Sequence, residues 1–238
     1  MKKSIINLQS KVLQTLAGKI DDFYLAGGTA LSLYYFNHRK SLDLDFFTQN
    51  FSKIRVLKIV DSLSTALKKK IELIAEESRK NRIKMLVYTI DINRKETLKI
   101  DFIQDYLDVI KQPKLINGIK VLSLEDIYIR KLYALTGTFF AKDSTGRNIA
   151  TGGRQEAKDF YDFYCLSHTF MRLSDFSSRF CNSLLRESII RWFHTYSRME
   201  MKTGLLELLP KKAVDYNEIE RHFKKEVNKI LEKEVEFV

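Results

Sequence analysis

Three carboxylates carry the strongest chemical signal in this sequence. Asp43 and Asp45 flank Leu44 in Ser41-Leu42-Asp43-Leu44-Asp45-Phe46-Phe47, and Asp101 lies in Leu98-Lys99-Ile100-Asp101-Phe102-Ile103. Side chains alternate between faces along a strand, so an Asp-x-Asp pair points both acids the same way. Two anions a few ångströms apart repel, and burying them is costly unless a cation sits between them. All three acids have large apolar neighbours on predicted strands. Gathered in one sheet they form an acidic cluster suited to Mg²⁺, with Mn²⁺ as substitute, since both are hard cations that take oxygen ligands. Two such ions about 4 Å apart activate an attacking oxygen and stabilise a leaving pyrophosphate. Asp101 taken alone also reads as a structural hydrogen-bond acceptor.

A phosphate-binding element precedes the acids. Phe23-Tyr24-Leu25-Ala26 reads as a short buried strand, Gly27-Gly28-Thr29 as a tight turn, and Thr29 to Phe36 as a helix. Backbone N–H groups at such a turn form an anion-binding nest, reinforced by the helix dipole, and Thr29 adds a hydroxyl. Gly-Gly also marks ordinary turns. The order strand, Gly-Gly-Thr, helix, Asp-x-Asp strand is the more specific feature.

These residues need a sheet to hold them. The hydrophobic spacing predicts a helix over 4–18, a strand over 42–47 and a helix over 52–70 with Ile54, Leu57, Val60, Leu63 and Leu67 inward. Strands follow over 71–75, 84–92 and 97–103, the last two joined by the turn Asn93-Arg94-Lys95-Glu96. Pro113 and Gly118 mark a loop, and 120–122 a short edge strand. Ser123 caps a helix, with Asp126 at the capping-box position. Residues 136–154 read as a long polar loop. Residues 155–169 are helical, and the rest is mostly helical with breaks near Gly204 and Pro210. The expected architecture is α/β (α+β), a mixed sheet flanked by helices over 1–122, followed by a mainly helical half over 123–238.

With 238 residues, 45% hydrophobic and 30% charged, the chain has the composition of a soluble globular protein. It has no apolar run long enough to span a bilayer, and its start lacks the features of a signal peptide. Cys165 and Cys181 suggest neither a disulfide framework nor a zinc site, so a cytoplasmic protein is expected. The net charge of +11 favours polyanions such as RNA, DNA or nucleotides, although a basic surface alone does not require one.

The motif Gly27-Gly28-Thr29…Asp43-Leu44-Asp45, with the later Asp101, resembles the signature of the polymerase-beta-like nucleotidyltransferase superfamily. More narrowly, GGTALSLYY…HRKSLDLDFF is similar to the AbiEii family of abortive-infection and type IV toxin–antitoxin toxins. SLEDIYIRKLYAL and RQEAKDFYDFYCL resemble its two later motifs, placing Lys131 at the lysine and Lys158, Asp159 and Asp162 in the closing motif. The likeness runs from about residue 23 to 168. It implies a nucleotidyltransferase fold and Mg²⁺-dependent transfer of a nucleoside monophosphate from an NTP to an acceptor, RNA such as tRNA, with an antitoxin encoded nearby. It also implies that Gly27, Gly28 and Thr29 bind the triphosphate, that Asp43 and Asp45 hold the metals and that Asp101 helps activate the acceptor. On the same likeness Arg39 and Ser41 would contact phosphates, Lys131 would meet the β- or γ-phosphate, Asp159 would orient Lys131 or contact the nucleotide, and the nucleotide would lie between the two halves. The segment 136–154 is longer than usual for the family: either a lid carrying Arg147 and Arg154, or an insertion.

Other readings remain. A non-catalytic NTP- or RNA-binding module on the same fold is the alternative, as is a toxin that sequesters a partner. His38 reads as surface or phosphate-contacting. Arg172, Arg179 and Arg186 recur every seven residues and would share one helix face, either an RNA-backbone surface or a solvated face. The aromatic residues Tyr34, Tyr35, Phe36, Phe46 and Phe47 read as mostly core.

Overall fold

The computed structural model describes residues 2–80, 82–93, 96–137, 139–142, 144, 146, 148–208, 210–211 and 213–236. The chain divides into two compact units, Met1–Tyr35 with Ser41–Asp126, and Phe36–Lys40 with Ile127–Val238.

The first unit contains α1 (Lys2–Leu16), β1 (Tyr24–Leu25) and α2 (Gly27–Ala30), which runs on as a wide π-type turn over Leu31–Phe36. Then come β2 (Leu44–Thr48), α3 (Lys53–Leu67), β3 (Ile71–Glu77), β4 (Met85–Asn93), β5 (Glu96–Gln104), β6 (Lys114–Ile116) and β7 (Ile119–Val121). The strands form one mixed sheet in the order β3-β4-β5-β2-β1-β7-β6. Strand β2 is parallel to β5 and β1 to β7, while the other pairs are antiparallel.

One face of this sheet is the core. Leu44 pairs with Ile100 and Phe46 with Phe102, and all four side chains are buried. Phe102 is the centre of this packing, with ring centroids 5.3 Å from Phe23, 5.7 Å from Phe46 and 6.2 Å from Tyr88. Helix α1 packs on β4, β5 and α3. Its apolar stripe of Ile5, Leu8, Val12, Leu13 and Leu16 is fully used.

Three expectations for this unit change. The inward face of α3 is Val56, Ile59, Val60 and Leu63, while Ile54 and Leu57 are 68% and 41% exposed. The i, i+3, i+4, i+7 stripe begins two residues later than the series starting at Ile54. The edge strand is β6, not β7, which is paired on both sides. Asn117 and Gly118, with φ of 50° and 76°, form the tight turn that pairs β6 with β7, so the expected loop at Gly118 is an Asn-Gly hairpin turn. Finally, Ser123 caps the helix as expected, its Oγ accepting from Asp126 N–H at 3.1 Å, but the Asp126 carboxylate also reaches beyond the cap, accepting from the Ile110 and Lys111 amides at 2.8 and 3.0 Å and from the Ser123 hydroxyl. In the β4–β5 turn, Arg94 and Lys95 lie outside the described residues.

The second unit holds most of α4 (Leu124–Thr136), the hairpin β8 (Phe139–Lys142) and β9 (Asn148–Thr151), and α5 (Ala157–Cys165), which continues as a π-type turn over Leu166–Phe170. Helices α6 (Leu173–Phe180), α7 (Ser183–Thr195), α8 (Arg198–Glu207) and α9 (Tyr216–Glu236) follow. Its core is aromatic: Tyr128 stacks on Phe176 at 3.9 Å and Phe163 on Phe223 at 4.8 Å. The expected loop over 136–154 contains a β-hairpin, with Arg147 outside the described residues. Gly204 does not break the helix; it lies inside α8, where a Cβ would come within 2.7 Å of Ala157 Cβ, so it lets α8 approach α5. No described helix is long and apolar enough to cross a membrane.

Phe102→Ala empties the centre of the first unit's core. It is expected to lower stability by about 3–5 kcal/mol, measured as a shift of the urea unfolding midpoint at unchanged slope.

Candidate active site

The acids of the first unit are positioned by β2 and β5. Asp45 and Asp101 are register partners on these adjacent parallel strands, so their side chains leave the sheet on the face opposite Phe46 and Phe102. Lys99, two residues before Asp101, shares that face, and its Nζ lies 2.7 Å from Asp101 Oδ2. Burial works against the Lys99 charge, but the Asp101 contact and the fields of Asp43 and Asp45 outweigh it and raise its pKa. All three acids therefore act on one cation.

Glycine is required where this face meets α2. Gly27 has φ +67°, and a Cβ there would collide with Asp45 Oδ2. The chain is held at this distance by the Ala26 N–H, which donates to Asp45 O at 3.0 Å. The left-handed Gly27 followed by the first turn of α2 has the geometry of an anion nest beside the carboxylates.

Asp43 is positioned differently from the expected strand pair. It precedes β2, and its main chain is tied down from two sides. Thr29 Oγ1 donates to Asp43 O and lies 2.9 Å from Ser41 Oγ, while Gln9 Nε2 donates to Ser41 O and Asp43 O at 3.2 Å each. Thr29 is wholly buried, so its hydroxyl orders the 41–43 segment. Gln9 was not among the expected site residues. Its signal was a polar side chain on the apolar stripe of α1, four residues after Ile5 and four before Leu13.

As donors, these groups fit a hard divalent ion: anionic oxygens from neighbouring strands, focused on one positive charge. Among the described residues no group of three or more His, Cys, Asp or Glu side chains is already drawn together as a metal cage. Asp101 is engaged by Lys99, and Asp43 stands ahead of the strand rather than on its face.

The second unit brings together Arg39, Lys131 and Asp159 around Asp162. Asp162 is buried and accepts from Arg39 Nε and Nη2 at 2.6 and 2.8 Å, from His38 Nε2 at 2.7 Å and from Lys131 at 2.7 Å. A carboxylate only accepts, so His38 carries its ring proton on Nε2. Lys131 also pairs with Asp159, which in turn pairs with Arg154 at 3.0 Å. Burial opposes every charge here, yet the Lys131 and Arg39 charges hold Asp162 well below the usual carboxylate range. Asp159 is likewise lowered against burial by Lys131 and Arg154, and Lys131 is raised against burial by Asp159 and Asp162.

The sequence matches the family model of the AbiEii nucleotidyl transferase toxin of type IV toxin–antitoxin systems over residues 11–237. The chain belongs to the AbiEii nucleotidyltransferase family. It is a nucleotidyltransferase, and its fold is that of solved relatives in shape. A crystal structure of a candidate nucleotidyltransferase from H. pylori aligns with TM-score 0.58 and 19% identity, covering 98% of this chain and 96% of that one. A crystal structure of JHP933 from Helicobacter pylori aligns with TM-score 0.57 and 18% identity, covering 100% and 97%. No curated protein matches the sequence.

Within this AbiEii-family enzyme several expectations are revised. His38 is buried against Asp162, not at the surface. Arg39, expected at phosphates, commits one edge of its guanidinium to Asp162. Arg172, Arg179 and Arg186 do not share a helix face. Arg172 is the residue before α6, Arg179 is in α6 and Arg186 is in α7, where it pairs with Glu234. The helical run is interrupted at Cys181-Asn182, and the Asn182 side chain caps α7 by accepting from Leu185 N–H. Cys165 and Cys181 are both free and buried, their thiols pushed up to about 12 by burial.

Asp162 received no role from the sequence, although it lies in the closing motif. Asp162→Asn leaves Arg39 and Lys131 poorly compensated and is expected to cost about 3–5 kcal/mol. Because the folded pKa of Asp162 is depressed, its contribution is present above about pH 4 and lost as pH falls towards the folded value. Urea midpoints measured across the acid range are expected to fall less steeply with pH in the variant than in the wild type.

Proposed function

We propose that this enzyme transfers a nucleoside monophosphate from an NTP to RNA, tRNA among the acceptors, in a Mg²⁺-dependent reaction. The observation that carries the reading is the cross-strand pair Asp45 and Asp101 beside the Gly27 turn. Gly27 and Gly28 offer main-chain N–H groups to the triphosphate. Asp43, Asp45 and Asp101 are the groups that would hold the metal, with Mn²⁺ as substitute. A divalent cation there supplies Lewis acidity towards the phosphoryl oxygens.

The acceptor hydroxyl oxygen bonds to the α-phosphorus as the bond to the bridging oxygen breaks, and pyrophosphate leaves with that electron pair. Asp101 takes the hydroxyl proton. Thr29, Ser41 and Gln9 set the position of Asp43, and Arg39 is a positioning residue through Asp162. In the second unit Lys131 is assigned to phosphate binding, with Asp159 orienting its ammonium. The family description, a type IV toxin–antitoxin toxin, supports a toxin with an antitoxin partner; on this proposal it acts in the cytoplasm and its antitoxin is encoded alongside.

Incubating the protein with each labelled NTP, Mg²⁺ and total RNA tests this directly. Label is expected in RNA from a preferred nucleotide. Asp43→Asn with Asp45→Asn is expected to reduce transfer on the order of a thousandfold or more while leaving the circular dichroism spectrum unchanged. Transfer retained by the folded double variant refutes the assignment.

Gln9→Leu removes the two Gln9 hydrogen bonds to the 41–43 segment without touching a carboxylate. Its expected result is a loss of about 1–3 kcal/mol in stability, read by urea unfolding. A further drop in transfer rate is expected under conditions where the variant is fully folded.

A further inference from the structure

A cavity of about 370 Å³ in the second unit is used by none of the chemistry above. Its walls are aromatic and its rim is cationic. Tyr164 in the last turn of α5, His168 in the π-type turn and His222 on α9 form the walls. The Tyr164 ring centre lies 5.2 Å from His168 at a 32° tilt and 5.3 Å from His222 edge-on, and the two imidazoles are 5.7 Å apart. Arg172, Arg221 and Lys225 line the same cavity and are exposed.

His222 is neutral. Arg172 Nη1 donates to His222 Nδ1 at 3.3 Å, so the ring proton sits on Nε2 and is donated to Ser167 Oγ at 2.7 Å. Burial, with nearby Arg172 and Lys229, pushes the His222 pKa down to about 4 against the pull of Glu226. The Tyr164 hydroxyl donates to Glu218 at 3.1 Å.

The two carboxylates in the lining already have partners. Glu226 accepts from Ser174 N and Oγ at 3.1 and 2.7 Å and pairs with Lys229 at 3.0 Å. Glu218 accepts the hydrogen bond from the Tyr164 hydroxyl. The arginines and Lys225 therefore remain as the groups able to meet an added anion.

We infer that this cavity is a binding subsite for a single-stranded RNA segment, with a base against His168 and Tyr164 and its flanking phosphates on Arg172, Arg221 and Lys225. Flat rings beside clustered cations suit stacked bases joined by phosphates. An acidic peptide would use the cations but not the rings. The inference rests on the proposal that RNA is the acceptor, and it returns Arg172 to RNA contact as part of a cavity.

The test is fluorescence anisotropy with a short labelled single-stranded RNA, at several salt concentrations, with inorganic polyphosphate as competitor. Arg221→Ala with Lys225→Ala is expected to weaken RNA binding about tenfold or more. The slope of log affinity against log salt should fall by about 1.4 in this double variant. His168→Ala is expected to weaken RNA binding about tenfold and leave polyphosphate binding unchanged. Circular dichroism and thermal melting confirm that both variants are folded.

Unchanged RNA binding in the double variant overturns the subsite. So does equal loss of RNA and polyphosphate binding in His168→Ala, which identifies a generic polyanion surface. Should RNA binding depend on these residues while no label enters RNA, the subsite stands and the transfer proposal fails. Label entering RNA with wild-type affinity in both variants has the opposite meaning.

Discussion

Parallel pairing of β2 with β5 sets two carboxylates, Asp45 and Asp101, side by side on one face of a sheet whose other face is packed with Phe46 and Phe102. Repulsion between them has to be offset by positive charge, and Lys99 supplies it in this structure. The same constraint reaches the turn after β1, where only a residue without Cβ leaves room for the Asp45 carboxylate. The apolar face fixes register through its aromatic packing, and register brings the acids together on the other face. Packing and chemistry are thus two sides of one pair of strands.

The 41–43 segment extends this arrangement by other means. Asp43 lies outside the ladder, so strand pairing does not hold it. Its position depends on side-chain hydrogen bonds from Thr29 and Gln9. Thr29 has a buried role here, while the adjacent Gly27 and Gly28 keep the main-chain groups that suit an anion. A three-residue motif therefore divides its work between backbone donors and a structural hydroxyl.

The second unit is organised around a buried charge of its own. Asp162 is surrounded by four donors from His38, Arg39 and Lys131, so its lone pairs are used and its ionised form is stabilised against burial. Such networks contribute less to net stability than to the choice of a single arrangement, because losing one member strands the others. They also fix the direction of Arg39 and Lys131, which a solvated cation would not have. The rings near α9 contrast with this cluster: one part of the unit concentrates charge in the interior, and another presents flat aromatic faces beside surface cations.

Much of this was legible in the sequence, for identifiable reasons. The glycine turn, the Asp-x-Asp spacing, the helix cap at Ser123 and the apolar stripe of α1 are local patterns, and local stereochemistry determines them. The family likeness followed from the same short motifs and was matched by the assignment over 11–237. Tertiary structure alone decided what depends on residues far apart in the chain. It paired Asp45 with Asp101, set Gln9 beside the 41–43 segment, gave Asp162 three partner side chains and turned Gly204 from a presumed break into a close helix contact. It also separated the three arginines, since a seven-residue spacing places residues on one face only when a single helix runs through them. Spacing along the chain records which face a residue takes; which charges meet is settled only when the faces pack.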